Sequence, residues 1–117
     1  VQAMNGRKVL EITHFPFKAG RLSKRKLDNF LKNNDYYFKD ELPFSFSRCH
    51  FAIVEHDGRY YFQDRGSRFG SIVINIEVGG EEYNIREVRL RRGENSIRFG
   101  RKSKALSFTL LVNEPVD

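Results

Sequence analysis

Cysteine is nearly absent from this chain of 117 residues, where Cys49 stands alone. A single thiol excludes an internal disulfide and a zinc site of the Cys-x-x-Cys type. A lone free thiol fits a reducing compartment, so the cytoplasm is the expected location. No apolar run approaches the roughly 18 residues of a membrane span, and the first residues lack a signal-peptide pattern. No membrane association is expected. Tandem repeats, low-complexity tracts and long linkers are also missing. What remains fits a single domain over residues 1–117, with its core over about 8–112. A chain of this length buries roughly two-thirds of its unfolded surface, enough for a core without staples.

Charge is plentiful and unbalanced. Lysine and arginine total 21 against 15 acidic residues, a net charge of +6. Such an excess points to an anionic partner: nucleic acid, phosphorylated protein or a membrane surface. The segment 22–34, "LSKRKLDNFLKNN", is basic and breaks the surrounding pattern as an inserted loop or helical turn. The later basic residues (Arg86, Arg89, Arg91, Arg92, Arg98, Arg101, Lys102 and Lys104) alternate along predicted strands and turns. They lack the interleaved exposed aromatics of a single-strand nucleic-acid groove. Nucleic acid therefore ranks third among the partners.

The rest reads as short strands. "RKVLEI" (7–12), "FPFKAGR" (15–21), "DYYFKDEL" (35–42), "SIVINIEV" (71–78), "EEYNIREVRL" (81–90), "NSIRFG" (95–100) and "SFTLLV" (107–112) are rich in β-branched and aromatic residues. The clearest unit is 50–64, in which two such runs flank Asp57–Gly58. Asp-Gly between β-rich runs signals a hairpin with a type I′ turn. Gly79–Gly80 reads as another turn. Strands at this spacing predict an all-β sandwich of two mainly antiparallel sheets. Tyr36, Phe38, Phe46, Phe51, Tyr61, Phe62, Phe99 and Phe108 are its expected core aromatics.

The stretch "SRCH" (47–50) concentrates the reactive residue types. Ser47, His50 and Asp64 are the types of a nucleophilic triad, but there is no strained G-x-S-x-G elbow. Cys49 and His50 are neighbours and point to opposite faces of a strand, so they do not form a metal pair. Neither an enzyme nor a cofactor is expected. Anion binding fits better. Gly20–Arg21, Ser47–Arg48 and Gly66-Ser67-Arg68 all fall at ends of predicted strands, and loops at one end of a sandwich converge. A guanidinium, a hydroxyl and backbone N–H groups are what a phosphate requires.

Four segments carry a resemblance, in order: "FPFKAGR", "NDYYFKDELPFSFSRCHFAI", "YYFQDRGSRFGSIVIN" and "LRRGENSIRFGRKSKALSFTLLV". They resemble the forkhead-associated domain, a phosphothreonine-binding β-sandwich with its binding loops at one end. The resemblance runs from about Lys8 to Val112. It implies that Arg21 grips the phosphate, and that Ser47 donates its hydroxyl, helped by the Arg48 backbone N–H. It implies that His50 braces the loops and that Gly20, Gly66 and Gly70 shape them. The implied partner is a phosphorylated protein, and related domains are often fused to other regulatory modules.

Two departures stand in the third segment. Phe69 occupies the place of an asparagine that holds the peptide backbone in the family. Phenylalanine cannot make those hydrogen bonds. Arg68 precedes it, where a short hydroxyl residue is common. It could reach the phosphate, pair with Asp64 or stay in solvent. The family's later Asn-Gly appears here as Ile74–Asn75. The leading expectation is a phosphopeptide-binding module contacted through Arg21, Ser47, Arg48, Arg68 and Phe69. The alternative is a degenerate domain that binds a partner, or itself, through Phe69 without phosphate.

Overall fold

A computed structural model describes residues 1–26, 34–39, 46–80, 85–99 and 106–113. Leu27, Phe30, Leu31 and Lys32 of the basic insertion lie outside these residues. So do Glu81–Glu82, Arg101, Lys102, Lys104 and the last part of the expected strand 35–42. Eleven strands are found among the described residues: β1 (Gln2–Asn5), β2 (Lys8–Glu11), β3 (Phe17–Arg21), β4 (Tyr36–Phe38), β5 (Phe51–His56), β6 (Arg59–Asp64), β7 (Ser71–Val73), β8 (Ile76–Val78), β9 (Glu87–Arg89), β10 (Gly93–Phe99) and β11 (Leu106–Val112). They form a six-stranded sheet, β2-β1-β11-β10-β7-β8, and a five-stranded sheet, β4-β3-β5-β6-β9. All pairings are antiparallel except β3 with β4. The protein is the expected all-β sandwich.

Side-chain alternation explains how the sheets face each other. In β10, Asn95, Ile97 and Phe99 are buried, whereas Glu94, Ser96 and Arg98 are exposed. The inner positions meet Phe51, Ile53 and Phe62 of the other sheet in one cluster. Phe51 stacks on Phe62 at 4.8 Å and on Phe99 at 5.5 Å between ring centres. Phe46 packs against Phe38 and Phe99, each at 4.6 Å. Burying one such ring contributes about 1.5–3 kcal/mol. Two of the expected core aromatics lie elsewhere. Tyr36 is 41% exposed. Tyr61 pairs with Val54 and Arg89, and its neighbours Tyr60 and Phe62 take the inward positions.

Three features depart from the sequence reading. A strand precedes Lys8: β1 pairs with β2 and with the distant β11. The run 71–78 is a hairpin, because Ile74 and Asn75 both adopt positive φ (49° and 67°) and reverse the chain. The expected strand 81–90 is confined within the described residues to β9, residues 87–89. Asp57 and Gly58, at φ 53° and 75°, form the expected hairpin turn.

Candidate functional site

Three connections meet at one end of the sandwich: the chain after β3, residues 46–50 before β5, and residues 65–70 between β6 and β7. The register brings the first two together. The Arg21 amide donates to the Ser47 carbonyl at 2.9 Å, and the His50 amide to the Ala19 carbonyl at 3.1 Å. Gly20 lies between these bonds. A Cβ there would sit 2.0 Å from the Arg48 carbonyl oxygen, so only glycine admits this approach. The Asn34 side chain secures the same carbonyl from the other side, donating at 2.7 Å. Its Oδ1 accepts from the Arg65 guanidinium.

Arg21 is half-buried, and its Nε donates to the Phe46 carbonyl at 3.1 Å. That bond fixes the guanidinium next to the Ser47 peptide. Ser47 joins two loops. Its Oγ accepts the Arg68 amide at 2.9 Å, which leaves its own proton to donate outward.

His50 is fully buried beneath these residues. Its Nδ1 accepts the Ser47 amide at 3.1 Å, so the ring proton sits on Nε2. Nε2 lies 3.0 Å from the Gly70 carbonyl and 3.1 Å from Ser71 Oγ. Burial lowers the pKa to about 4, against the opposing pull of the Gly70 hydrogen bond and the Asp64 charge. The ring is neutral at pH 7. Phe46 and Phe99 pack edge-on against it at 5.2 and 4.9 Å. His50, Ser47 and Asp64 are not linked as a triad: the imidazole receives the Ser47 amide, and Asp64 serves another loop.

Asp64 organises the 65–70 loop from inside. Its carboxylate is fully buried. Oδ2 accepts the amides of Gly66 at 2.9 Å and Ser67 at 3.1 Å, together with Arg86 Nη1 at 3.2 Å. Oδ1 accepts the Ser67 hydroxyl, whose oxygen in turn accepts the Gly70 amide at 3.1 Å. Gly79 leaves room for the carboxylate, since a Cβ there would lie 2.1 Å from Oδ1. Gly66 and Gly70 adopt φ of 83° and 70°. At Gly70 a Cβ would also meet the Val78 carbonyl at 2.6 Å.

The amides of Gly66, Ser67, Arg68 and Gly70 are thus all held within the scaffold. This loop presents side chains outward. Arg68 is exposed, and its guanidinium lies 5.2 Å from the centre of the half-buried Phe69 ring. Of the three fates considered for Arg68, pairing with Asp64 is displaced, because Arg86 holds that carboxylate. Arg48 is exposed and Cys49 half-buried between Ser47 and His50. Asn75 sits at the far end of β7 and lines an outer cleft with Met4, Ser96 and Thr109, away from Ser67–Gly70.

The FHA domain model matches residues 17–100, which span all three loops. This chain belongs to the FHA domain family. FHA domains are generally phosphopeptide-binding signalling modules that bind phosphorylated proteins. No match to the chain was found among curated proteins or solved structures. Sequence reasoning did not foresee the scaffold roles that Asn34, Asp64, Ser67, Ser71 and Gly79 take in this FHA domain. The Asp-x-Gly-Ser stretch was the available signal for Asp64 and Ser67, since a short acceptor before glycine favours a side-chain-capped turn. Nothing local signals the role of the Asn34 side chain, whose partners are 14 and 31 residues away.

Proposed function

We propose that this FHA domain is a non-catalytic reader that recruits proteins phosphorylated on threonine. The observation that carries the reading is the position of Ser47. Its hydroxyl oxygen is held by Arg68, its proton is available, and the anchored guanidinium of Arg21 lies beside its peptide. A phosphate brings about −1.5 to −2 charges at neutral pH. Hydrogen bonds to a charged group contribute about 1.5–3 kcal/mol each. Arg21, Ser47 and one further donor offset dianion desolvation and leave net affinity. Arg48 and Arg68 are the candidates for that donor. Threonine is the residue the family resemblance implies.

Calorimetric titration tests this with phosphothreonine, phosphoserine and unphosphorylated versions of one peptide pool. Only phosphorylated pools bind, threonine more tightly, and Arg21→Ala abolishes binding with an unchanged circular dichroism spectrum. Unaltered affinity in the folded Arg21→Ala protein overturns the site. A second reading rests on Phe69, an aromatic side chain at the loop surface under a guanidinium. Here the domain binds its partner without phosphate, Phe69→Ala weakens the complex and phosphatase treatment leaves it intact. Loss of the complex on phosphatase treatment eliminates this reading.

A further inference from the structure

Asn34 lies where the segments of the site meet, and its own backbone is fixed before its side chain is placed. The Asn34 amide donates to Tyr37 Oη at 2.9 Å. The next residue, Asp35, exchanges two bonds with Lys18 of β3: its amide donates to the Lys18 carbonyl and its Oδ2 accepts the Lys18 amide, both at 2.8 Å. Asn34 is only 9% exposed, so its amide group is committed to protein partners. Nδ2 donates to the Arg48 carbonyl at 2.7 Å, and Oδ1 accepts from Arg65 Nη1. These partners admit one orientation of the amide, since a carbonyl only accepts and a guanidinium only donates. The Arg65 amide donates to the His50 carbonyl at 2.9 Å, which ties it to the same loop. Gly20 makes the room: a Cβ there would lie 2.8 Å from Asn34 Nδ2.

The bonds on either side of Arg48 fix its direction as well as its place. The Ser47 carbonyl is held by the Arg21 amide, and the Arg48 carbonyl by Asn34. A peptide unit is planar, so a pinned carbonyl orients the whole unit, including the N–H of the following residue. Arg21 thus sets the plane before Arg48, and Asn34 sets the plane after it. With both planes set, the two soft dihedrals of Arg48 are set, and so is the direction in which its exposed side chain leaves the loop. The place calls for asparagine. One short side chain must donate on one side and accept on the other, which a carboxylate cannot do. Glutamine carries the same groups on a longer stem, against the tight approach at Gly20.

We propose, on the basis of the phosphothreonine reading above, that Asn34 is a positioning residue of the phosphate site. It acts through Arg48 and not by touching the ligand. By holding the Arg48 carbonyl, with its own amide steadied by Arg65, it sets the angle at which Ser47 and Arg48 meet the phosphate. Without that hold the loop stays anchored through Arg21 and His50, but the peptide unit after Arg48 is released. Affinity then falls further than stability explains.

Asn95 supplies the control. It is a second buried asparagine, whose Nδ2 donates to the carbonyls of Arg91, Gly93 and Leu110 and whose Oδ1 accepts the Arg91 amide. It lies towards the end of β10 away from Phe99, the residue that pairs with Ser71 beside His50. The test titrates the wild type, Asn34→Ala, Asn34→Asp and Asn95→Ala with one phosphothreonine peptide and its unphosphorylated form. Urea melts and nitrogen–proton correlation spectra of the ligand-free proteins accompany the titrations. Asn34→Asp keeps the acceptor for Arg65 and removes only the donor, so the test does not depend on the alanine variant folding. Both Asn34 variants should bind the phosphopeptide about tenfold more weakly or worse, the size of one charge-assisted hydrogen bond. The Cys49 amide, which shares a peptide unit with the Arg48 carbonyl, should shift in both before any ligand is added. Asn95→Ala should lower the urea midpoint at least as far, yet keep phosphopeptide affinity within about twofold, as a distant site does.

Affinity within about twofold of the wild type in the Asn34 variants, or an unmoved Cys49 amide, overturns the proposal and leaves phosphate reading intact. An equal loss of affinity in Asn95→Ala reduces Asn34 to a general stability effect and overturns it likewise. Wild-type protein that binds both peptides alike, or neither, overturns the phosphothreonine reading itself, and the proposal with it.

Discussion

The hydroxyl oxygen of Ser47 accepts the backbone amide of Arg68 at 2.9 Å across 21 residues of sequence. One side chain therefore joins two loops and, in the proposed reading, also offers a donor to the phosphate. Ser47→Ala removes both functions. Phosphopeptide affinity should fall tenfold to a hundredfold, matching about 1.5–3 kcal/mol for a charge-assisted bond, while stability drops by only about 1 kcal/mol. Calorimetry reads the first and urea denaturation the second. Ser47→Thr, which keeps the hydroxyl, should retain most of the affinity.

Stability should depend on pH through His50. Its folded pKa, about 4, lies below the ordinary 6.5 because the ring is buried. The unfolded chain therefore binds the proton more readily. The stabilisation is complete above pH 6.5 and disappears as pH falls towards 4, a loss on the order of 3 kcal/mol. Asp35 acts lower. Burial raises its pKa, but the Lys18 amide and His14 outweigh that and hold it below 3.8, so its contribution is lost only below that pH. Urea melts between pH 7 and 4.5 isolate the histidine. A flat profile over that range would contradict the neutral, buried ring.

Gly20→Ala should be among the most damaging single-methyl additions. The new Cβ meets a backbone carbonyl at 2.0 Å, and no flexible side chain is available to move aside. Destabilisation should reach about 3 kcal/mol, the upper part of the range for overpacking. The surviving folded protein should bind phosphopeptide weakly, because the Arg48 carbonyl, adjoining Ser47, must shift. Gly58→Ala is the control: a Cβ there meets nothing within 4 Å, so the cost is limited to backbone strain at φ 75°.

Asp64 and Arg86 should prove unequal partners. The Arg86 side chain is 53% exposed, so Arg86→Ala should cost less than about 1 kcal/mol. Asp64→Ala leaves the Gly66 and Ser67 amides and the Ser67 hydroxyl without their acceptor. It should cost about 3 kcal/mol and disorder the 65–70 loop, visible as faster amide hydrogen exchange at Arg68 and Gly70. Comparable losses in the two variants would show that the ion pair, rather than the loop hydrogen bonds, carries the effect.

The sequence was most legible where the physics is local. Asp57–Gly58 marks a hairpin because few residue pairs accept two positive φ angles, and the alternation in β10 exposes its inner face directly. β1 was illegible because "QAMN" has no alternation and its partner β11 lies about a hundred residues away. The reversal at Ile74–Asn75 was hidden for the opposite reason. Isoleucine at φ 49° contradicts its own preference, and Ile74 packs partly against the core while its amide binds the Ser96 carbonyl. Tertiary packing overrides the local bias there. At the site, Arg21, Ser47 and His50 stood out as residue types in order. The Asp-x-Gly-Ser spacing signals that Asp64 caps its own turn, but the complete burial of its carboxylate and the placing of Arg68 against Phe69 depend on tertiary packing that no spacing reports.

The inward-turned amides of Gly66, Ser67, Arg68 and Gly70 separate the loop's form from its content. Its path is held by Asp64, Ser67, Ser47 and two glycines, whereas the Arg68 side chain is exposed. The Arg68 side chain behaves like an interchangeable tip on a fixed handle. In the proposed reading, substituting Arg68 should alter which peptide is preferred without refolding the holder, so ligand preference and stability can be varied separately at this one codon.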